Sequence, residues 1–228
     1  MRRLEKARQD PDGTMAKTLA VARRVFGDYG FHGTTTRMIA REAGVDVATL
    51  YYHWGEKQEL YEAVVTDITE DLRKQLRSVE QEIHGRPLGE RMARSIDAMT
   101  DYLFLHPEVA NLVLLRYFAK TRSEPVSDLR VPSFVQDIAL SMRLAEPGAP
   151  VPPEARMRVL AIMNAIYNFV SGREFFQPMV EVEPGAYVEL VKSTLKFLFI
   201  PAFTSAGTSN DPREEPRAGQ AADPAGSE

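Results

Sequence analysis

Residues 33–61, GTTTRMIAREAGVDVATLYYHWGEKQELY, decide the fold of this chain. Gly44 separates two short segments of helical pattern and predicts a turn, and Asp46 is placed to cap the second helix. Gly55 then interrupts the helical pattern, and Glu56 begins a longer helix. A short helix, a glycine turn and a second short helix form a structural device that reads DNA. The segment therefore predicts contact with DNA.

The second short helix runs to about residue 52 and carries side chains that suit the major groove of DNA. Val47 and Ala48 can meet a thymine methyl group, and Thr49 can hydrogen-bond a base edge or a phosphate. A helix N-terminus also favours phosphate. The first short helix begins with threonines and an arginine, and one of these threonines is its N-cap. The predicted DNA-binding residues are Thr35, Thr36, Arg37, Val47, Ala48, Thr49, Tyr51, Tyr52, His53 and Lys57.

The residues before this segment complete a small domain. Residues 1–12 are polar and basic, and they predict a flexible arm. Residues 14–30 predict a helix, with Thr14 as its N-cap and Gly30 as its end. The apolar stripe of this helix consists of Met15, Leu19, Ala22, Phe26 and Tyr29. We therefore expect a three-helix, helix-turn-helix DNA-binding domain over residues 13–60.

Residues 61–203 predict a helical body. Their periodic segments are all helical and no convincing strand is found, so the expected fold class is all-α. The predicted helices cover residues 56–83, a stripe over 92–103, and 107–120, 133–145, 154–176 and 185–199. The tail, residues 204–228, lacks large apolar residues and is predicted to be disordered, because it cannot bury enough surface to offset the entropy of ordering.

The body carries bulky apolar residues with a few polar groups among them, a composition that suits a ligand pocket. The same residues can equally be ordinary core. The predicted ligand-binding residues are Met99, Tyr102, Leu103, Asn111, Leu115, Tyr117, Phe118, Phe134, Ile138, Met163, Asn164, Tyr167 and Asn168. The last two long helices are apolar over wide arcs, which indicates burial on two sides and predicts a homodimer through them.

Composition excludes several classes of protein. The chain has no cysteine, which excludes disulfides, thiol catalysis and cysteine-ligated metals. No apolar run is long enough for a transmembrane helix, the N-terminus does not read as a secretory signal, and we expect a cytoplasmic protein. Common catalytic motifs and metal-ligand spacings are absent, so no enzyme, cofactor or metal site is predicted. An acidic cluster, Asp67, Glu70 and Asp71, is interpreted as a solvated helix face.

The stretch from about Thr14 to Tyr61 resembles the N-terminal domain of the TetR family of bacterial transcriptional regulators. The resemblance is carried by residues 22–60, ARRVFGDYGFHGTTTRMIAREAGVDVATLYYHWGEKQEL. Within them the patterns F-x-x-x-G-F-x-G-T-T, I-A-x-x-A-G-V, T-L-Y-Y-H-W and K-x-x-L stand in register. The match covers about a fifth of the chain, and the remainder resembles the family only in architecture.

The resemblance implies a homodimer with a helix-turn-helix head and a helical body that binds a small effector. By position it assigns most of the predicted DNA-binding residues to the DNA surface. Two residues depart from the family pattern. Asp46 stands where a serine or similar small residue is common, and Trp54 where phenylalanine is usual. A carboxylate caps a helix well but repels phosphate, so we assign Asp46 to capping.

The leading functional hypothesis is a homodimeric repressor that a small, hydrophobic effector releases from operator DNA. Two heads would read half-sites roughly 34 Å apart on one face of the DNA. The alternatives are an activator, a regulator without a small ligand, or a helical carrier or enzyme whose head is vestigial. No membrane partner is expected.

Overall fold

The computed structural model describes residues 2–118, 131–146 and 148–204, and these ranges contain helices and no strand. The all-α class is therefore confirmed. The helices, numbered in chain order, are α1 Arg2–Gln9, α2 Thr14–Gly33, α3 Thr36–Ala43, α4 Val47–Trp54, α5 Lys57–Ile83, α6 Leu88–Leu105, α7 Pro107–Phe118, α8 Val131–Ser141, α9 Pro153–Ser171, α10 Arg173–Val180 and α11 Pro184–Thr204. None of the described helices is both long and apolar enough to cross a membrane.

The caps of the head follow the sequence closely. The Thr35 hydroxyl accepts the Met38 N–H at 3.2 Å, so Thr35 is the N-cap of α3. Gly44 adopts the left-handed conformation, φ 68°, that the turn between α3 and α4 requires. Gly30 likewise has φ 67° and breaks the helical conformation near the end of α2. The prediction for Thr14 was wrong, because the N-cap of α2 is the residue before it.

Helices α2 to α5 of the head surround a dense apolar core. Phe26, Ile39, Leu50, Trp54 and Leu60 come from four different helices, and each is at most 1% exposed. Burying a side chain of this kind contributes roughly 1.5–3 kcal/mol. The core therefore fixes the orientation of the short helices α3 and α4, although each is too short to be stable alone.

The predicted flexible arm at residues 1–12 is wrong for most of its length, because residues 2–9 form α1. Leu4 and Ala7 of α1 are buried in the main core. Arg3 Nη1 donates to the Trp54 carbonyl at 2.7 Å and to Glu59 Oε1 at 2.8 Å. The polar composition of the segment conceals two apolar residues at i and i+3, which become buried as α1 packs on α2.

Asp67 on α5 is buried, so the interpretation of its acidic cluster as a solvated face was wrong at this position. Arg8 of α1 donates to Asp67 Oδ1 at 2.7 Å, and Arg23 of α2 donates to Oδ2 at 2.7 Å. Arg23 also hydrogen-bonds Asp71 and lies 3.4 Å from Glu108 of α7. Although burial alone would lower the pKa of Arg23, the hydrogen bonds and charges of Asp71 and Asp67 raise it above its ordinary value.

The body packs onto the head through α7, which lies between α2 and α9. A Cβ added at Gly27 of α2 would lie 3.0 Å from the Glu108 Cα, so only glycine permits this approach of the two backbones. Helix α6 packs between α5 and α11, and α8 packs against α9. A smaller apolar cluster joins α8 to α9 through Val135, Ala139 and Val159.

Three predicted helices of the body have different bounds. The helix predicted over 133–145 runs over Val131–Ser141. The helix predicted over 154–176 ends at Ser171, because Gly172 interrupts it and a separate helix, α10, follows. The last helix extends past residue 199 to Thr204, through Pro201. The predicted disordered tail beyond residue 204 lies outside the described residues. So does most of a polar loop that the sequence predicts over 121–132, whose last two residues instead begin α8.

Candidate DNA-binding surface and ligand cavity

Helix α4 has one buried face and one exposed face. Leu50 and Trp54 are each 1% exposed and anchor the helix in the core of the head. Tyr52 is 83% exposed, Tyr51 is 40% exposed, and Ala48 is exposed. An aromatic side chain as large as Tyr52 gains nothing from core packing when most of it faces solvent. The exposed face is therefore free to meet another molecule.

Asp46 is the N-cap of α4, as predicted. Its Oδ1 accepts the Thr49 N–H at 2.6 Å. This hydrogen bond, together with one from the Thr49 hydroxyl, lowers the pKa of Asp46 below its ordinary value. Thr49 is half-buried, so the cap both orients its side chain and occupies its backbone donor.

The Lys57 ammonium is held by the backbone of the head. Its Nζ donates to the Phe31 carbonyl at 2.8 Å and to the Thr34 carbonyl at 3.0 Å. It also lies 4.3 Å from the centroid of the Phe31 ring. Two of its three N–H groups thus connect the start of α5 to the last turn of α2 and to the residue that follows α2. Lys57 therefore has a structural role that the sequence did not reveal.

The other predicted DNA-binding residues lie beside this face. Thr35 and Arg37 are exposed at the start of α3, and Thr36 is half-buried there. His53 is half-buried, and its ring lies 5.1 Å from that of Tyr52. The fold thus places all ten predicted residues at the starts of α3 and α5 and along α4.

The body encloses a cavity of about 1010 Å³ between α5, α6, α8 and α9. Its walls are mostly apolar, with leucine, isoleucine, valine and methionine side chains from all four helices. Six of the predicted ligand-binding residues line it: Met99, Leu103, Phe134, Ile138, Met163 and Tyr167. Tyr167 is fully buried, and burial raises the pKa of its hydroxyl, so the group is a neutral hydrogen-bonding group at ordinary pH.

Six other predicted residues do not line this cavity: Tyr102, Asn111, Leu115, Tyr117, Asn164 and Asn168. The side chain of the remaining candidate, Phe118, lies outside the described residues. Leu115 and Tyr117 are partly exposed, at 37% and 39%, because α7 packs on α2 and α9 rather than on the cavity. Tyr117 borders a much smaller void beside α5 and α9.

Four of the polar residues predicted to bind the ligand lie outside the lining of the cavity, and two of them hydrogen-bond backbone carbonyls. The Asn164 amide donates to the Leu160 carbonyl at 2.8 Å, and the Asn168 amide donates to the Asn164 carbonyl at 2.8 Å. The Tyr102 ring lies 4.8 Å from the His106 ring in a tilted arrangement, and burial raises the pKa of Tyr102 to about 12. Asn111 Oδ1 is buried and has no hydrogen-bond partner among the described residues. These four residues therefore do not serve the cavity as anchors.

Sequence reasoning missed the charged groups of the cavity. Arg91 of α6 is 7% exposed and lines the cavity, and its Nη2 donates to Glu80 Oε1 and to Ser141 Oγ, each at 2.9 Å. Arg73 and Arg77 line the same cavity from α5. One signal was present in the sequence, because Arg91 directly precedes an apolar stripe that begins at Met92.

Comparisons with known proteins agree with this geometry. Residues 19–64 match the family described as bacterial regulatory proteins, tetR family. The HTH-type transcriptional regulator UidR of Escherichia coli K12 is 29% identical over 91 residues, which cover 40% of this chain and 45% of UidR. The chain thus spans about half the length of the curated relatives it matches.

Solved structures extend the likeness to the whole fold. A TetR-like transcriptional regulator from Rhodococcus sp. RHA1 has a TM-score of 0.56 and 21% identity, covering 81% of this chain and 93% of its own. AibR, solved in complex with isovaleryl coenzyme A and operator DNA, has a TM-score of 0.58 and 18% identity, covering 81% and 97%. Residues 19–64 therefore match the TetR family in sequence, and the helical body behind them resembles TetR-like regulators in fold.

Proposed function

We propose that the chain is a homodimeric transcriptional repressor that binds operator DNA through α4 and is released by a small effector in the body cavity. The observation that carries the DNA-binding part is the exposed face of α4, on which Tyr52 stands almost fully in solvent. Side chains on such a helix can enter the major groove, while the residues at the start of α3 reach phosphates.

Tyr52 allows a direct test. Because its side chain is 83% exposed, Tyr52→Ala removes a proposed DNA contact without opening a cavity in the core. We expect its binding to the promoter region beside its own gene to weaken roughly tenfold at fixed salt. Tyr29→Ala, which removes a tyrosine 58% exposed on α2, is the matched control and should bind like the wild type. Equal affinities for all three proteins would refute the assignment of this face.

The proposed control by an effector relies on α5. This helix carries Lys57 at the head, Asp67 at the junction with α1 and α2, and Glu80 in the wall of the cavity. A ligand between α5, α6, α8 and α9 therefore touches the same rigid element that carries the head. It shifts the DNA-binding equilibrium only by the difference in its affinity for the two states.

An apolar surface supports the proposed dimer. On α11, Leu190, Phe197 and Leu198 are 40%, 78% and 52% exposed. On α9, Met157 and Ala161 lie on the side opposite the core, and both are exposed. An apolar face of this extent is typical of an interface, and two copies related by a twofold axis would pack these helices as a four-helix bundle.

Oligomeric state can be measured on matched leucine variants. Leu190→Glu places a charge in the proposed interface and should shift the protein from dimer to monomer in sedimentation velocity. Leu105→Glu is the control, because Leu105 is 77% exposed at the end of α6, outside α9 and α11. A dimer that survives Leu190→Glu but not Leu105→Glu would move the interface away from these helices.

The lining of the cavity and a solved structure of similar fold both suggest the chemical nature of the effector. AibR was solved with isovaleryl coenzyme A, so a body of this fold can accept a ligand with an apolar acyl part. The cavity described above is lined mainly by apolar side chains, which favours a hydrophobic effector. A carrier or enzyme with a vestigial head would instead show no sequence-preferring DNA binding at about 0.15 M salt.

A further inference from the structure

The cavity has a polar end built from three helices. Glu80 of α5, Arg91 of α6 and Ser141 of α8 form a closed cluster, in which Glu80 accepts from both Arg91 and Ser141. The Arg91 side chain is only 8% exposed. All three residues line the cavity, so a ligand that fills it meets this cluster directly.

The cluster has more donors than acceptors. A guanidinium carries five N–H donors, and Glu80 offers one carboxylate to both Arg91 and Ser141. Both hydrogen bonds that Arg91 donates within the described part of the chain start from Nη2. Its Nε is shut off from solvent and has no partner among the described residues. A buried donor without an acceptor is unfavourable, so an oxygen of a ligand beside the guanidinium would stabilise the site.

The charges around the cavity favour an anion as that acceptor. The charged lining residues are Arg73, Arg77, Arg91 and Arg143 against Glu80, Asp137 and Glu146. Within the described residues, Arg91 and Glu80 are the one Arg–carboxylate pair of this set within 4.0 Å. Arg73 and Arg77 lie one turn apart on α5, where like charges repel each other. Four cations therefore line the cavity against three carboxylates, and three of the four have no carboxylate within 4.0 Å in the described ranges.

Away from this cluster the lining is mainly apolar. Met99 and Leu103 lie two to three turns beyond Arg91 on α6, and Ile166 and Tyr167 face the same space from α9. From Arg91 to Leu103 the helix rises ~18 Å at 1.5 Å per residue. The site thus combines an elongated apolar chamber with an arginine at one end.

We infer that the effector is an amphipathic carboxylate, whose apolar chain lies between α6 and α9 and whose carboxylate contacts Arg91. This inference rests on the proposed function, because it names the ligand class of the proposed effector site. Arg91 binds the carboxylate by charge-assisted hydrogen bonds. Glu80 holds the guanidinium in place and competes with the ligand for it.

The test uses the full chain and two probes that differ only in the head group, dodecanoate and dodecan-1-ol. Each is titrated to displace the neutral dye N-phenyl-1-naphthylamine from the cavity. We expect dodecanoate to displace the dye at a roughly tenfold lower concentration than the alcohol, which corresponds to one charge-assisted hydrogen bond. Equal potency of the two probes in the wild type would overturn the inference.

Three variants assign the effect to the cluster. Arg91→Gln should abolish the preference for dodecanoate and leave dodecan-1-ol unchanged. Glu80→Gln removes the competing carboxylate, so it should strengthen dodecanoate binding; this variant keeps Arg91 and tests the inference even where Arg91→Gln fails to fold. Arg94→Gln is the control, since Arg94 is exposed on the same helix and does not line the cavity. A preference that Arg94→Gln removes, or that Glu80→Gln weakens, would contradict the inference.

The dye separates this inference from the proposed function. Absence of dye binding to the wild type would refute the apolar effector cavity itself, and the assignment of the head group with it. Dye binding that both probes displace equally would leave the cavity in place and refute only the role of Arg91.

Discussion

The head and the body of this protein are built on opposite principles. In the head, each short helix has a cap or a tightly packed anchor, and the largest buried side chains fill its core. In the body, four helices surround about 1010 Å³ of space and carry charged groups in its wall. A DNA-binding surface must keep one geometry. A ligand-binding site must instead keep empty space and polar groups that have no partner within the protein. The two regions therefore differ in packing in the way that the proposed DNA-binding and ligand-binding roles require.

The largest expected effect compares two buried leucines. Leu50 is 1% exposed in the head, and Leu103 is 2% exposed in the wall of the cavity. Leu50→Ala loses packing contacts on every side and should lower the free energy of unfolding by about 4 kcal/mol. Leu103 borders the cavity, so neighbouring side chains can relax into the space that Leu103→Ala leaves, and its loss should be about 2–3 kcal/mol. Urea unfolding of both variants gives the difference, and equal losses would show that the cavity wall packs as tightly as the head.

The next effect concerns the junction of the two regions. Asp67 is 6% exposed and pairs with Arg8 and Arg23. Asp67→Asn removes a negative charge that compensates the charge of the largely buried Arg23. We therefore expect the free energy of unfolding to fall by about 2–3 kcal/mol. Glu70→Gln removes only the exposed contact with Arg8, so its loss should stay below about 1 kcal/mol. A Glu70→Gln variant as unstable as Asp67→Asn would contradict the buried position of Asp67 in the network.

The head was largely predictable because its determinants are local. Thr35, Gly44 and Asp46 act on residues within one turn of the chain, so their types and spacing carry the prediction. Two features of the head were missed, and both depend on distant partners. Arg3 reaches Trp54 and Glu59 across more than fifty residues, and Lys57 binds carbonyls at positions 31 and 34. A local sequence pattern shows neither the partners of Arg3 nor those of Lys57.

The body was predictable in class and not in detail. An apolar stripe shows that a helix is buried, but it does not show which neighbour covers it. Leu115 and Tyr117 have the composition of pocket residues, yet α7 packs on α2 and α9, away from the cavity. For Arg91 the error runs the other way. A charged residue on a helix is usually solvated, yet Arg91 is buried in the wall of the cavity. Its burial depends on Glu80 of α5, across the preceding turn, and on Ser141 of α8, 50 residues further along the chain.

A smaller effect tests whether α1 belongs to the head. Arg3 donates to the Trp54 carbonyl, and its ion pair with Glu59 is about half exposed. Arg3→Met should therefore lower the free energy of unfolding by about 1 kcal/mol and weaken DNA binding slightly, because the end of α4 loses a tie. Lys6→Met is the control, since Lys6 is exposed on α1 and has no recorded ion pair within the described residues. Identical unfolding curves for Arg3→Met and wild type would show that the Arg3 contacts add nothing to the stability of the head.

The smallest effect compares a charged and an uncharged cap within the head. Hydrogen bonds from Thr49 lower the pKa of Asp46, so its ionised form stabilises the folded state above the ordinary carboxyl pKa, and this contribution is lost as pH falls through the lowered value. The stability difference between wild type and Asp46→Asn should therefore be constant near neutral pH and shrink on acidification. Thr35 caps α3 with a neutral hydroxyl, so the difference between wild type and Thr35→Ala should not change with pH. Urea midpoints measured from pH 7 down to about pH 3 distinguish the two caps. A difference for Asp46→Asn that stays constant over this range would mean that its charge adds nothing to the cap.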